Sequence, residues 1–199
     1  MSVAVDFSWA RFLSMTLIFI GVPVAIGAVV IRSAWRAEKV GGTSLEDTAA
    51  AVVPATGTGR LGLWATGLVA YALGFLSCAG WLSWSADSTG QFRGPALPAP
   101  TKFPTWQVVA CGVTVVLACF AAAHLSRWVV AGGLAAAAGT AAGFTTAFAV
   151  DASCVVTSQE GIGVGFSIVG WGIGLGLLML VRGVWLTSRR HKAAGRLRP

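Results

Sequence analysis

The chain has 199 residues, of which 56% are hydrophobic and only 11% charged, with 26 glycines, a net charge of +7 and a mean hydropathy of +0.77. Soluble domains carry about a quarter charged residues, so this composition excludes an ordinary water-soluble globule. A pI near 10.1 raises nucleic acid as a partner, but the cations flank apolar runs instead of lining one polar face, and no nucleic-acid partner is expected.

Five apolar stretches dominate, at roughly 12–31, 61–84, 106–123, 128–150 and 162–181, and none carries a charge in its middle. A helix rises ~1.5 Å per residue and a bilayer core is ~30 Å thick, so about 20 such residues suffice to cross it. The runs are continuous where a membrane β-barrel would alternate. The expected fold is therefore an all-α membrane protein, a bundle of five transmembrane helices forming one integral domain over 1–199.

The first run is longer than the apolar core of a signal peptide, is preceded by Asp6 and Arg11 and is followed by basic residues, the charge order of an uncleaved first span. Pro23 in its middle predicts a kink. The segment 32–60 begins with a basic cluster, passes Gly41-Gly42 and then shows Thr43-Ser44-Leu45-Glu46, a capping-box pattern that predicts a short separate helix ending at Pro54. The segment 85–105 carries Pro95, Pro98, Pro100 and Pro104, which rule out a helix there. Only His124-Leu125-Ser126-Arg127 separates the third and fourth runs. A tight hairpin is expected, because a charge at the centre of one over-long helix would cost several kcal/mol. From residue 182 a basic tail is expected, its Arg189, Arg190 and Lys192 meeting anionic lipid headgroups.

Orientation follows from charge. With 32–60, 124–127 and the tail inside, the inner segments hold Arg32, Arg36, Lys39, Arg60, Arg127, Arg182, Arg189, Arg190, Lys192, Arg196 and Arg198. The outer ones hold only Arg11, Arg93 and Lys102. This bias predicts the N-terminus outside and the C-terminus cytoplasmic. Trp9, Trp35, Trp64, Trp81, Trp84, Trp106, Trp128 and Trp185 fall near run ends, as indoles in a headgroup belt do, while Trp171 alone lies mid-run.

Small residues mark the expected helix contacts. Gly161, Gly165, Gly172 and Gly176 share a narrow sector of the fifth run, with Gly163, Ser167, Gly170 and Gly174 roughly opposite, which predicts a helix clasped between two neighbours. In the fourth run Ala135, Gly139 and Gly143 repeat at intervals of four.

Chemistry-bearing residues are few. No Asp, Glu, Lys or Arg lies near the middle of a run, which disfavours proton-coupled transport. Asp87, Asp151 and Glu160 at the outer ends read as solvated boundary residues or as a shallow acidic mouth. Neither His124 nor His191 is placed to hold a haem, and no metal or other cofactor is expected. Of four cysteines, Cys154 in an outer loop is positioned to form a disulfide with Cys78 or Cys111, although no Cys-x-x-Cys exists; the simpler reading is that all four are packing residues.

The expected function is a non-catalytic accessory or structural subunit of a larger membrane assembly, with the lipid bilayer and other membrane subunits as partners. Two alternatives remain open. One is a small transporter or channel for an uncharged or apolar solute, with a path past Thr140, Thr145, Thr146 and Ser167; the other is a membrane thiol-disulfide oxidoreductase. High Ala, Gly and Arg usage suggests GC-rich bacterial coding and hence a plasma membrane.

Overall fold

A computed structural model of the chain describes residues 9–46, 59–83, 103–153 and 160–195. Five of its helices are long and apolar enough to cross a membrane. Helix α1 is continuous through Trp9–Met15, a π-helical turn at Thr16–Gly21 and Val22–Glu46. Helix α2 comprises Leu63–Cys78 and a π-helical turn at Ala79–Ser83. Helices α3 (Thr105–Leu125), α4 (Val130–Ala152) and α5 (Glu160–Gly195) complete the set.

The widened turn in α1 has a local cause. Pro23 has no N–H and its ring crowds the carbonyl four residues back, that of Phe19; a π turn at Thr16–Gly21 makes room for both. The sequence predicts a kink at Pro23, and the structure has this widened turn beside it.

Two helices run past the apolar stretches that announce them. Helix α1 continues from residue 31 through Glu46, the last described residue of this segment, so Thr43–Glu46 belong to a long helix and do not open the separate short one that their capping-box pattern predicts. Arg32, Ala34, Arg36, Ala37, Glu38 and Lys39 are all good helix formers, and nothing there breaks the backbone. Helix α5 likewise carries the basic segment from Arg182 to Gly195, where the sequence predicts a tail. The hairpin between α3 and α4 is formed, with the break at residues 126–129. Cys154, Asp87, the proline-rich stretch and the remainder of the predicted short helix lie outside the described residues.

Helix α4 is the centre of the bundle. It packs against each of the other four helices, and 72% of its apolar window is buried, against 33% for α2 and α3, 22% for α5 and 6% for α1. Its sequence explains this position. Val130–Ala152 is built mainly of Ala, Gly and Thr, so the helix is thin enough for four neighbours to approach its backbone.

The closest approach is between α4 and α2. A Cβ on Gly139 would overlap the Gly67 carbonyl, one on Gly143 the Tyr71 carbonyl, and one on Gly74 the Thr140 carbonyl. Backbone touches backbone along this seam. On the α2 side it is lined by Thr66, Ala70, Gly74 and Cys78, all buried and spaced by four.

Helix α5 meets α4 differently. Its buried stripe is Val164, Ile168, Leu175 and Met179, set among Ala136, Ala137, Ala141 and Ala142 of α4. Large side chains of α5 fill a surface that α4 leaves flat. The glycines expected to clasp α5 on two sides are mostly away from this contact. Gly165 lies 3.1 Å (as a Cβ) from the Phe19 ring, whereas Gly170, Gly172, Gly174 and Gly176 have nothing within 4 Å. Toward its start, Gly163 meets the Phe148 ring of α4 at 3.4 Å (as a Cβ), so both α1 and α4 hold that part of the helix.

Candidate functional site

The basic segments of the chain meet at one end of the bundle, and hydrogen bonds hold them there. Glu38, on the polar extension of α1, accepts the backbone N–H of Val130 at 2.8 Å and of Ala131 at 3.2 Å. These are the first amides of α4, which have no partner inside their own helix. A carboxylate is the preferred group at that position, since it meets both the free donors and the positive end of the helix dipole. Beside it the Trp35 and Trp128 rings make an edge-to-face contact with centroids 6.2 Å apart.

A short parallel bridge fixes the connection into α2. Leu61 N–H donates to the Leu125 carbonyl at 3.0 Å, and Arg127 N–H donates to the Leu61 carbonyl at 3.1 Å. The Ser126 hydroxyl accepts the Trp128 N–H at 3.3 Å and sits where a Cβ on Gly132 would fall. From this platform Lys39 lies over Trp35 at 4.4 Å, Arg127 over Trp128 at 5.5 Å and Arg189 over Trp185 at 3.8 Å. Such cation–aromatic pairs suit a boundary between apolar and aqueous phases. Arg190 and Lys192 lie further along the same helix.

Arg182 differs from the other cations. It is half-buried, its Nη1 is shut off from solvent without a hydrogen-bond partner, and no acceptor for it is found among the described residues. The neighbouring Gly183 packs on Val130, at 3.1 Å as a Cβ, so Arg182 stands level with the start of α4.

Between α3 and α5, which barely touch, runs an open apolar cleft of about 360 Å³. Its walls are Val109, Gly112, Val113, Val116 and Leu117 of α3 and Trp171 of α5. Phe144 of α4 packs on Trp171, with ring centroids 5.4 Å apart.

At the far end of the bundle, polar groups tie α2 to α3. The Trp81 indole donates to the Thr114 hydroxyl at 3.1 Å, and the Gln107 amide donates to the Trp81 carbonyl. Trp81→Phe keeps the ring but removes the donor; a loss of about 1 kcal/mol is expected, read as a lowered unfolding midpoint in detergent.

The cysteines are distributed over α2 and α3. Cys78, Cys111 and Cys119 are buried thiols, and Cys111 Sγ–H points to the Ser77 carbonyl at 3.8 Å. The hydroxyls expected to line a path between α4 and α5 are packed instead. Thr140 and Thr145 are fully buried, Thr145 lies 3.4 Å from Ser167, and Thr146 donates to the Ala142 carbonyl of its own helix. The Thr140 hydroxyl is buried without a hydrogen-bond partner. Among the described residues no three His, Cys, Asp or Glu side chains come together as a metal site.

No protein family, curated protein or solved structure matches this chain. The site must therefore be read from its own geometry.

Three features are absent from the sequence reading. The pairing of Glu38 with Val130 joins residues 92 apart and leaves no local signal. The α2 face of the seam does leave one, since Thr66, Ala70, Gly74 and Cys78 recur every fourth residue, but four different residue types conceal the repeat. Arg182 reads as one more flanking cation until its Nη1 is seen to be buried without an acceptor.

Proposed function

We propose that the protein is a membrane-embedded, non-catalytic subunit of a larger assembly, with its N-terminus outside and its basic end in the cytoplasm. The observation that carries this reading is the bare middle of α5. Among the described residues no atom lies near enough to meet a Cβ on Gly170, Gly172, Gly174 or Gly176, so a helix of another subunit can approach this backbone closely. Lipid provides no hydrophobic drive for helix association, and close backbone approach is the main substitute.

The orientation is supported by Arg36, Lys39, Arg60, Arg127 and Arg189, which the folded chain gathers at one end. A bacterial plasma membrane fits the Ala-, Gly- and Arg-rich composition.

Purification of the native protein in mild detergent tests the function. A stoichiometric membrane partner is expected, and Gly174→Leu is expected to release it without unfolding the chain. Recovery of the chain alone, together with solute flux in liposomes, would favour a transporter instead. Orientation is checked separately by tagging each terminus; labelling of both tags from one face of intact cells would overturn it.

A further inference from the structure

We infer that the cleft between α3 and α5 is a binding site for one anionic phospholipid, its acyl chain lying against Trp171 and Gly112 and its phosphate on Arg182. The inference shares only the membrane embedding with the subunit reading and stands whether or not a partner protein exists.

The geometry starts from helix period. Trp171 and Arg182 are eleven residues apart, close to three full turns, so they project from the same side of α5. Trp171 lines the cleft, and Arg182 follows it three turns further along the same side, past the last lining residues Val116 and Leu117 of α3. Side chains on a helix lean toward its N-terminus, and here that lean carries the guanidinium back toward the cleft.

The spacing matches one leaflet. Eleven residues of helix span ~16 Å, and half of a ~30 Å hydrocarbon core is ~15 Å. An acyl chain reaching the bilayer centre at Trp171 has its headgroup at Arg182. Trp185 and Arg189 continue the same side of α5 outward, with Arg189 stacked on Trp185 at 3.8 Å.

The chemistry commits to an anion. A guanidinium half-buried at the membrane boundary, with its inner Nη1 lacking an acceptor, is held in place with its open side free for an oxyanion, and a phosphate accepts from such planar donors in pairs. A second helix could fill the apolar cleft but would bring no such charge. A free phosphate would satisfy Arg182 and leave the cleft empty. A phospholipid answers both features at once.

The test is native mass spectrometry of the full chain with dioleoyl phosphatidylglycerol and dioleoyl phosphatidylcholine. One phosphatidylglycerol per chain is expected, bound about tenfold tighter than phosphatidylcholine and not displaced by excess inorganic phosphate. Arg182→Gln is expected to remove that preference and Arg182→Lys to keep most of it. Arg189→Gln, further out on the same side, is expected to weaken binding less than about threefold, whereas diffuse attraction to a basic surface would make the two glutamine variants equal. Gly112→Phe, which fills the cleft, is expected to weaken both lipids alike. Equal affinity for the two lipids in the unaltered chain would overturn the proposal whatever the variants do. So would displacement by inorganic phosphate, or a lipid-free dimer in which a second copy occupies the cleft.

Discussion

Gly143→Leu is expected to lower stability by about 3 kcal/mol or more, because the added side chain meets the backbone of another helix and not a side chain that can rotate away. The Tyr71 carbonyl and the Phe75 amide occupy the space that a Cβ would take. Relief requires α2 and α4 to separate, and separation opens the neighbouring contacts at Gly139 and Gly74 as well. Gly172→Leu supplies the control, since nothing lies within 4 Å of a Cβ there. Its effect is expected to stay within about 1 kcal/mol, and Gly172→Ala to be neutral or slightly stabilising through helix propensity. Unfolding of the three variants in mixed micelles, followed by circular dichroism, checks the contrast. Equal losses at 143 and 172 would show that the α2–α4 seam is no closer than the open face of α5.

Glu38→Ala carries the second largest expected effect, about 1–3 kcal/mol. It leaves the Val130 and Ala131 amides without their acceptor and removes a polar tie from α1 to the first turn of α4. Hydrogen exchange offers a readout specific to this bond. Amides at the start of α4 are expected to exchange faster in the variant, while those of the α2–α4 seam keep their protection. Glu38→Gln retains one acceptor oxygen without the charge and is expected to fall between. Unchanged exchange at Val130 in Glu38→Ala would remove the cap from the account.

Much of the architecture was legible in the amino-acid order. Five uncharged runs of about twenty residues imply five apolar helices, and five such helices are present. Their ends were less legible, because apolarity stops where the bilayer would stop but helical structure does not. Residues 32–46 and 182–195 carry most of the charge and are still helical: Arg36–Lys39 and Arg189–Ala194 favour the helix, no proline interrupts either segment, and Gly41-Gly42 are carried within it.

Contacts between helices were legible only as faces. Periodicity puts Gly139 with Gly143 and Gly172 with Gly176, yet says nothing of what lies opposite. The first pair sits against α2 backbone and the second faces open space. Neighbour relations depend on how five helices share one centre, and no window of sequence contains that information. The same holds for Arg182, whose meaning depends on the gap between α3 and α5, and for Glu38, whose partners lie three helices further on.

That last contact has a bearing on how the chain is made. The carboxylate of Glu38 closes on an amide 92 residues downstream, so during synthesis the opening helix waits unclamped while the second and third segments are inserted. Its attachment is a late event, possible only once Val130 has emerged, and chains cut short before that point would lack this clamp on their leading helix.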